Sequence, residues 1–525
     1  MSKTPIIVIS FVLSSFCHLA FANNIQVLNV KTTGKNTSAG TNNIANFMLV
    51  EFDLSWENSW RTSTAPFNWD AAWVFIKYRV GTGNWNHTTL NTTAANHTAP
   101  TGSIIEVPND GKGAFIYRSS NGTGSFSLTD VQLRWQYGAD GVADNAQVQI
   151  KVFAVEMVHV PQGSFRVGSG GSDVYEFYAS PTTTSTYLIN SENAITVGTA
   201  NGNLYYPDGS ADDQSGPIPA AFPKGYAAFY CMKYEVSQGQ YRDFLNLLTY
   251  NQQASRTATA PNSAAGTGAF NNANRNGIDV QTPGISATKP AVYGCNVDGD
   301  AVYNESNDGE WIACNTVSWL DACAFLDWAA LRPMTELEYE KACRGSETPV
   351  PNEYAWGTAT KAAATYTLNN AGTANEGIAT NYSTTLGNAS YSTTSGSVNG
   401  PLRSGIFAAN INNSGRISSG ATYYGIMEMS GNLWERTVSV GNAAGRAYTG
   451  VHGDGVLSAN GHANTTAWPG LISGEVTGAD GAGFRGSGWN VTFDNRSRVS
   501  DRSAATSSVT DRATNRGIRG VRTAP

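Results

Sequence analysis

From Ile25 to Val158 the chain alternates short apolar runs with polar punctuation. The runs IQVLNV, FMLVEFDLSW, AAWVFIKYRV, GAFIYRSS, SFSLTDVQLRWQYG and AQVQIKVFAVEMV are rich in β-branched and aromatic residues, and Gly, Asn and Thr turns separate them. A partial period of two over runs of this length predicts strands. Short strands at regular spacing predict a β-sandwich over residues 23–155. Trp56, Trp60, Trp69, Trp73 and Trp85 fall in this unit. Core or interface packing is the expectation for them, with a sugar-stacking face as the alternative.

Near Glu156 the pattern changes. MVHVPQGSFRVGS reads as strand, turn and strand, and FYCMKYEVSQGQYRDFLNLL passes from strand into helix. Ser237 is a good N-cap for that helix, and Tyr241, Phe244, Leu245 and Leu248 recur on one helical face. WLDACAFLDWAALRPMTELEYEKACRG contains two helical stretches parted at Arg332-Pro333. Thr335 and Glu338 form a capping box at the start of the second. Segments 169–219, 251–289 and 357–416 are rich in Ala, Gly, Asn, Ser and Thr. They read as long surface loops inserted into a compact domain.

Composition narrows the class. Charged residues are 14% of the 525, glycine numbers 55, and hydrophobic residues make up 41%. This suits a β-rich, loop-rich extracellular protein of more than one domain. The net charge of −7 and the lack of a basic run outside the tail argue against a nucleic-acid binder. Lys3, the apolar run 6–16 and Ala20-Phe21-Ala22 read as a signal peptide over 1–22, cleaved before Asn23. Phe16, where a small residue is needed before Cys17, disfavours a lipid anchor. No later stretch is apolar enough for a membrane span. The mature protein is expected to be exported: periplasmic, cell-surface or secreted. Cys231, Cys295, Cys314, Cys323 and Cys343 then remain. They allow up to two disulfides, Cys295 with Cys314 and Cys323 with Cys343 being nearest in sequence, or five buried thiols.

In their order, VHVPQGSFRVGS, KYEVSQGQYRDFLN, NTVSWLDACAFLDWAALRPMTELEYEKACRG, YAWG, YGIMEMSGNLWE, GFRGSGW and RGIRGVR resemble the formylglycine-generating enzyme, or sulfatase-modifying factor, family. The resemblance covers 156–525 and implies an α+β domain with a C-type lectin-like fold, preceded by the all-β sandwich. In the sulfatase-modifying enzymes two cysteines follow the GGS-type motif and support copper and oxygen chemistry. Laid on GSGWNVTFDNR, those positions are Val491 and Arg496, and no cysteine follows Cys343. Thiolate copper ligation needs thiols, so no copper and no such enzyme activity are expected. Iron-dependent relatives use a histidine-rich site. Here His452 and His462 with Asp454 are the nearest approach, and two loop histidines define no geometry, so no iron is expected. The resemblance also implies structural calcium, held by the carboxylates of Glu428 and Glu435 and the carbonyls of Gly431 and Leu433. Glu428 stands where the family usually has Asn or Asp.

The tail, 483–525, carries eight arginines and no Lys, Glu, Gln or His. It resembles the variable proteins of diversity-generating retroelements, which use this same fold: RGSGW, then asparagine-derived positions among fixed Arg and Ser, then RGVR. Adenine substitution in asparagine codons reaches Asn, Asp, Ser, Thr, Ala, Gly, Val, Ile and Phe, but not Lys, Glu or Gln. The candidate variable, ligand-contacting positions within 485–522 are Asn490, Val491, Thr492, Phe493, Asp494, Asn495, Asp501, Ser503, Ala504, Ala505, Thr506, Val509, Thr510, Asp511, Ala513, Thr514, Asn515 and Ile518. Phe493 and Ile518 would be apolar anchors, and Asp494, Asp501 and Asp511 charge-selective contacts. Arg485, Trp489, Arg498, Arg502, Arg512 and Arg519 would be the structural frame. The resemblance implies a non-catalytic protein that binds a protein or glycan ligand. The alternatives are an oxidoreductase homologue of the sulfatase-modifying type, or an inactive structural relative.

Overall fold

The computed structural model describes residues 24–207, 209, 212–270, 274–363, 365–391, 398–491 and 494–525. The expected signal peptide lies outside the described residues, as do Thr492, Phe493 and the side chain of Asp494.

Two sheets organise the chain. Their strands are β1 (Gln26–Asn36), β2 (Phe47–Arg61), β3 (Asp70–Val80), β4 (Asn86–His87), β5 (Ser103–Glu106), β6 (Ala114–Arg118), β7 (Gly122–Trp135), β8 (Val148–Val160), β9 (Phe229–Met232), β10 (Arg332–Thr335), β11 (Glu435–Val438), β12 (Ala482–Arg485) and β13 (Gly520–Thr523). The smaller sheet has the order β1-β2-β7. The larger runs β12-β11-β10-β13-β9-β8-β3-β6-β5, with β4 added to β3. Only β10 and β11 pair in parallel; the other pairings of these strands are antiparallel. The result is a sheet-rich α+β protein with few helices.

β3 explains how the two halves join. Its sequence DAAWVFIKYRV is apolar on both alternating sets, as a strand buried on both faces must be. Ala72, Val74, Ile76 and Tyr78 pack with Val50, Phe52 and Leu133 of the smaller sheet. Ala71, Trp73 and Phe75 face the other way, into the main core with Tyr241, Phe325 and Trp328. β3 pairs with β8 from Asp70–Val158 to Val80–Val148, and the far end of β8 pairs antiparallel with β9. The division expected at 155/156 therefore falls inside one continuous strand. Side chains reinforce the join: Trp73 Nε1 donates to Ala329 O at 2.8 Å, and Lys77 Nζ donates to Trp328 O at 2.7 Å and Gly455 O at 2.8 Å. Trp56 and Trp73 are core residues, while Trp60, Trp69 and Trp85 are half-buried, Trp69 stacked on His159.

The expected helices form with their expected caps. α1 (Gln238–Leu245) has a Ser237–Gln240 capping box, and α4 (Glu336–Arg344) has the Thr335–Glu338 box. Between them come α2 (Tyr250–Arg256) and α3 (Trp319–Trp328). α2 lies in a stretch expected as loop. Its Thr249–Gln252 box was a local signal that the surrounding Ala, Asn and Ser content masked. The 169–219 segment is mostly irregular, yet Phe177, Ile189, Leu204 and Tyr206 anchor it in the main core. Of the two cysteine readings the second holds: Cys231, Cys295, Cys314, Cys323 and Cys343 are free, buried thiols. Cys323 and Cys343, neighbours in sequence, sit on different helices and in different apolar clusters.

Candidate ligand-binding surface of the tail

The tail leaves and re-enters the core through strands. β12 is paired with β11, and β13 is wedged between β9 and β10. The chain between them must cross the surface without a sheet of its own, so side chains rather than a ladder hold it. Arg485 donates to Glu336 at 2.9 Å, to Glu340 at 2.8 Å and to Val499 O at 2.7 Å. Arg502 donates to the same Glu336 at 2.8 Å and to Asp212 at 3.1 Å. Its guanidinium also lies against the Phe177 and Tyr206 rings. Arg498 pairs with Asp173, Arg512 makes a two-pronged contact with Asp321, and Arg519 pairs with Glu435. Trp489 Nε1 donates to Thr514 O.

These pairs are built at low dielectric, where only a partner offsets the cost of burying charge. Burial raises the pKa of Glu336, but the Arg502 and Arg485 guanidiniums outweigh it and hold the carboxyl below its ordinary value. Burial likewise opposes ionisation of Asp321, and Arg512 and Arg256 overcome it. The expected arginine frame is thus a set of core ion pairs.

The candidate variable positions divide in two. Asn490, Val491, Asn495, Ser503, Ala504, Ala513, Thr514 and Asn515 are half-exposed, and Val509, Thr510 and Asp511 are fully exposed. Asn515 Nδ2 donates to Asn490 Oδ1 at 2.8 Å, which brings the two ends of the loop together. Asp501, Ala505, Thr506 and Ile518 are buried. Ile518 belongs to the main core, so it is not an exposed apolar anchor. Ala505 is fixed by backbone contact: a Cβ on Gly483 would lie 1.7 Å from Ala505 O. Asp501 turns inward, its Oδ1 accepting from Ser503 N and Oγ.

A family model described as "Sulfatase-modifying factor enzyme 1-like domain" matches residues 142–524. The chain belongs to the sulfatase-modifying factor family. The match takes in the whole of β8 and the tail as far as residue 524. No curated protein matches the chain.

Within this sulfatase-modifying-factor domain, Val491 and Arg496, the positions where a cysteine pair was looked for, are half-exposed tail residues. The thiols that do exist are elsewhere, and burial pushes each one's pKa up, Cys231 to about 12. His452 accepts from Thr523 N through Nε2, and His462 Nδ1 faces Arg256. Each histidine is engaged with a different partner.

Two of the expected calcium residues, Glu435 and Glu428, lie near Arg519. Glu435 Oε1 accepts from Arg519 Nε at 2.7 Å, and Glu428 Oε1 accepts from Gly405 N at 2.8 Å. The second oxygen of each is buried without a hydrogen-bond partner. Glu235, missed in the sequence, completes an acidic group by accepting from Leu433 N at 2.9 Å and from Asn432. Burial and the neighbouring Glu435 raise its pKa. Burial raises Glu428 to about 7. Among the described residues no three His, Cys, Asp or Glu side chains converge as a metal cluster. A cation here would need backbone carbonyls such as those of Gly431 and Leu433.

Proposed function

We propose that this is an exported, non-catalytic protein that binds a protein or glycan ligand through its tail, and that a retroelement diversifies the tail within 485–522. One observation carries the reading. Arg485, Arg498, Arg502, Arg512 and Arg519 are paired with acids of the core, while eleven of the candidate positions between them are half-exposed or exposed. Substitution at such exposed loop positions changes stability little, so a surface of this construction tolerates rewriting. Small polar residues with occasional apolar ones suit adaptable contact. The C-type lectin-like arrangement of the domain and the β-sandwich character of the N-terminal unit are part of the same reading. So is a structural calcium at Glu428, Gly431, Leu433 and Glu435. There the two unpartnered carboxylate oxygens supply the hard oxygen donors that calcium takes. Calcium addition should then raise the melting temperature of the wild type and not of Glu428→Gln.

The test is genetic. Codons for 485–522 are compared among sister isolates. Adenine-templated changes concentrated at Asn490, Val491, Asn495, Ser503, Ala504, Val509, Thr510, Asp511, Ala513, Thr514 and Asn515 support the reading. An invariant tail sinks it. Oxygen consumption by the copper-loaded protein with a cysteine-containing peptide would favour the enzyme alternative.

A further inference from the structure

Among the described residues Arg436, on β11 beneath the tail, forms no ion pair with a carboxylate. It is 2% exposed, its Nε and Nη1 have no hydrogen-bond partner, and Nη2 donates only to Val509 O at 3.2 Å. Its guanidinium carbon lies 3.9 Å from the centre of the Phe484 ring, and that of Arg516 lies 5.0 Å from the same ring. Arg516 is satisfied locally by Asp511, through the side chain at 2.9 Å and the backbone carbonyl at 2.6 Å. Next to them Arg512 and Arg256 share Asp321. Four guanidiniums, Arg256, Arg436, Arg512 and Arg516, therefore stand against two carboxylates, Asp321 and Asp511. Burial and the nearby Arg516 push the Arg436 pKa down to about 9, the response of a cation short of counter-charge. The segment over this excess is 509–511, the most exposed part of the candidate surface.

We propose that this is a carboxylate-recognition site: an acidic side chain of a protein partner docks on Arg516, backed by the field of Arg436, in the place that Asp511 now occupies. The proposal rests on the reading of the tail as the ligand surface and names the chemistry of one part of it. Three facts converge on it. The buried, under-partnered Arg436 supplies standing positive potential. Asp511 is the replaceable member, since its side chain is 63% exposed while that of Arg516 is 15% exposed. The group already seated is an aspartate side chain, so an acidic side chain of a partner reproduces its geometry and its charge-assisted contact. Position 511 is itself a candidate variable position, which makes it a selector. Aspartate there neutralises the site from within; Asn, Ala, Gly, Val or Thr would open it to an outside carboxylate.

The experiment is a gain of binding, which misfolding cannot mimic. Fluorescence anisotropy follows labelled polyglutamate on the mature wild type, Asp511→Ala, the double variant Asp511→Ala/Arg516→Gln, and Glu347→Ala as a control for removing an exposed charge elsewhere. Asp511→Ala is expected to bind about tenfold more tightly than wild type, with the gain shrinking as salt rises. The gain should vanish in the double variant and be missing in Glu347→Ala. The proposal is overturned if Asp511→Ala binds no better than Glu347→Ala, or if its gain survives loss of Arg516. It is also overturned if polygalacturonate, run in parallel, is bound and polyglutamate is not. The codon survey separates this from the parent reading. A diversified tail with an indifferent Asp511→Ala removes only the carboxylate site. An invariant tail with the expected gain removes only the diversification.

Discussion

Arg485, the last residue of β12, and Glu336, the first of α4, form a 2.9 Å ion pair in which neither side chain is exposed at all. Glu336 also receives Arg502, and Arg485 also reaches Glu340. The tail's entry into the core and its mid-point are thus tied to one helix. Arg485→Ala would leave Glu340 with Arg344 alone and Glu336 with Arg502 alone, each buried and short of one charged partner. A loss of about 3–5 kcal/mol is expected. Thr510→Ala, at an exposed position, should stay within about 0.5 kcal/mol of wild type. Urea denaturation of the two variants checks the contrast, and equal losses would contradict the frame-and-surface division.

Asp501 supplies a pH signature. Burial raises its carboxyl from the ordinary 3.8 to about 6, against the hydrogen bonds from Ser503. The folded state holds this proton more tightly than the unfolded chain does. Its contribution is therefore intact below about pH 4 and is lost as pH rises through about 6. Asp501→Asn keeps an oxygen for Ser503 and has no charge to bury. It should be more stable than wild type by roughly 3 kcal/mol at pH 7.5 and equal to it at pH 3.5. A constant difference at both pH values would assign the effect to packing instead.

The thiols make a chemical prediction. Reactivity follows the exposed thiolate, and these five are buried with raised pKa values. The native mature protein should react with a disulfide reagent at less than one thiol. Without any reductant, the denatured protein should expose all five. One thiol under denaturing conditions would mean two disulfides.

The shared strand pairing predicts one unfolding event. A chain beginning at Val142, where the family match begins, would lack β3. It would expose the edge of β8 and the faces that Trp73 and Phe75 cover. Such a chain should be insoluble or molten, whereas the full mature chain should melt in a single calorimetric transition. Within the full chain Lys77→Ala strands two buried carbonyls, and about 2 kcal/mol or more of stability should go with it. Two separated transitions in the wild type would show that the halves are independent.

Local signals were the legible ones. The Ser237 and Thr335 caps and the apolar runs of the strands follow from neighbours within a few residues. The partners of the arginine frame were not legible. Glu336 lies 149 residues from Arg485, and Asp212 lies 290 from Arg502; nothing in the intervening composition marks them as a pair. Glu235 was missed for the same reason: it meets Leu433 across 198 residues. Ile518 was misplaced because an aperiodic loop carries no sign of which way each side chain points.

For the tail, then, the amino-acid order by itself settled what kinds of residue occupy it: arginine and glycine, with small residues between. Which of those small residues meet water was settled only by the tertiary structure. The reason is physical. A loop has no repeat to orient its side chains, so their direction is imposed from outside. Here the imposing contacts are the acids of α3 and α4 that pull the arginines inward. They lift 509–511 to the surface and turn Asp501, Ala505 and Ile518 into the core.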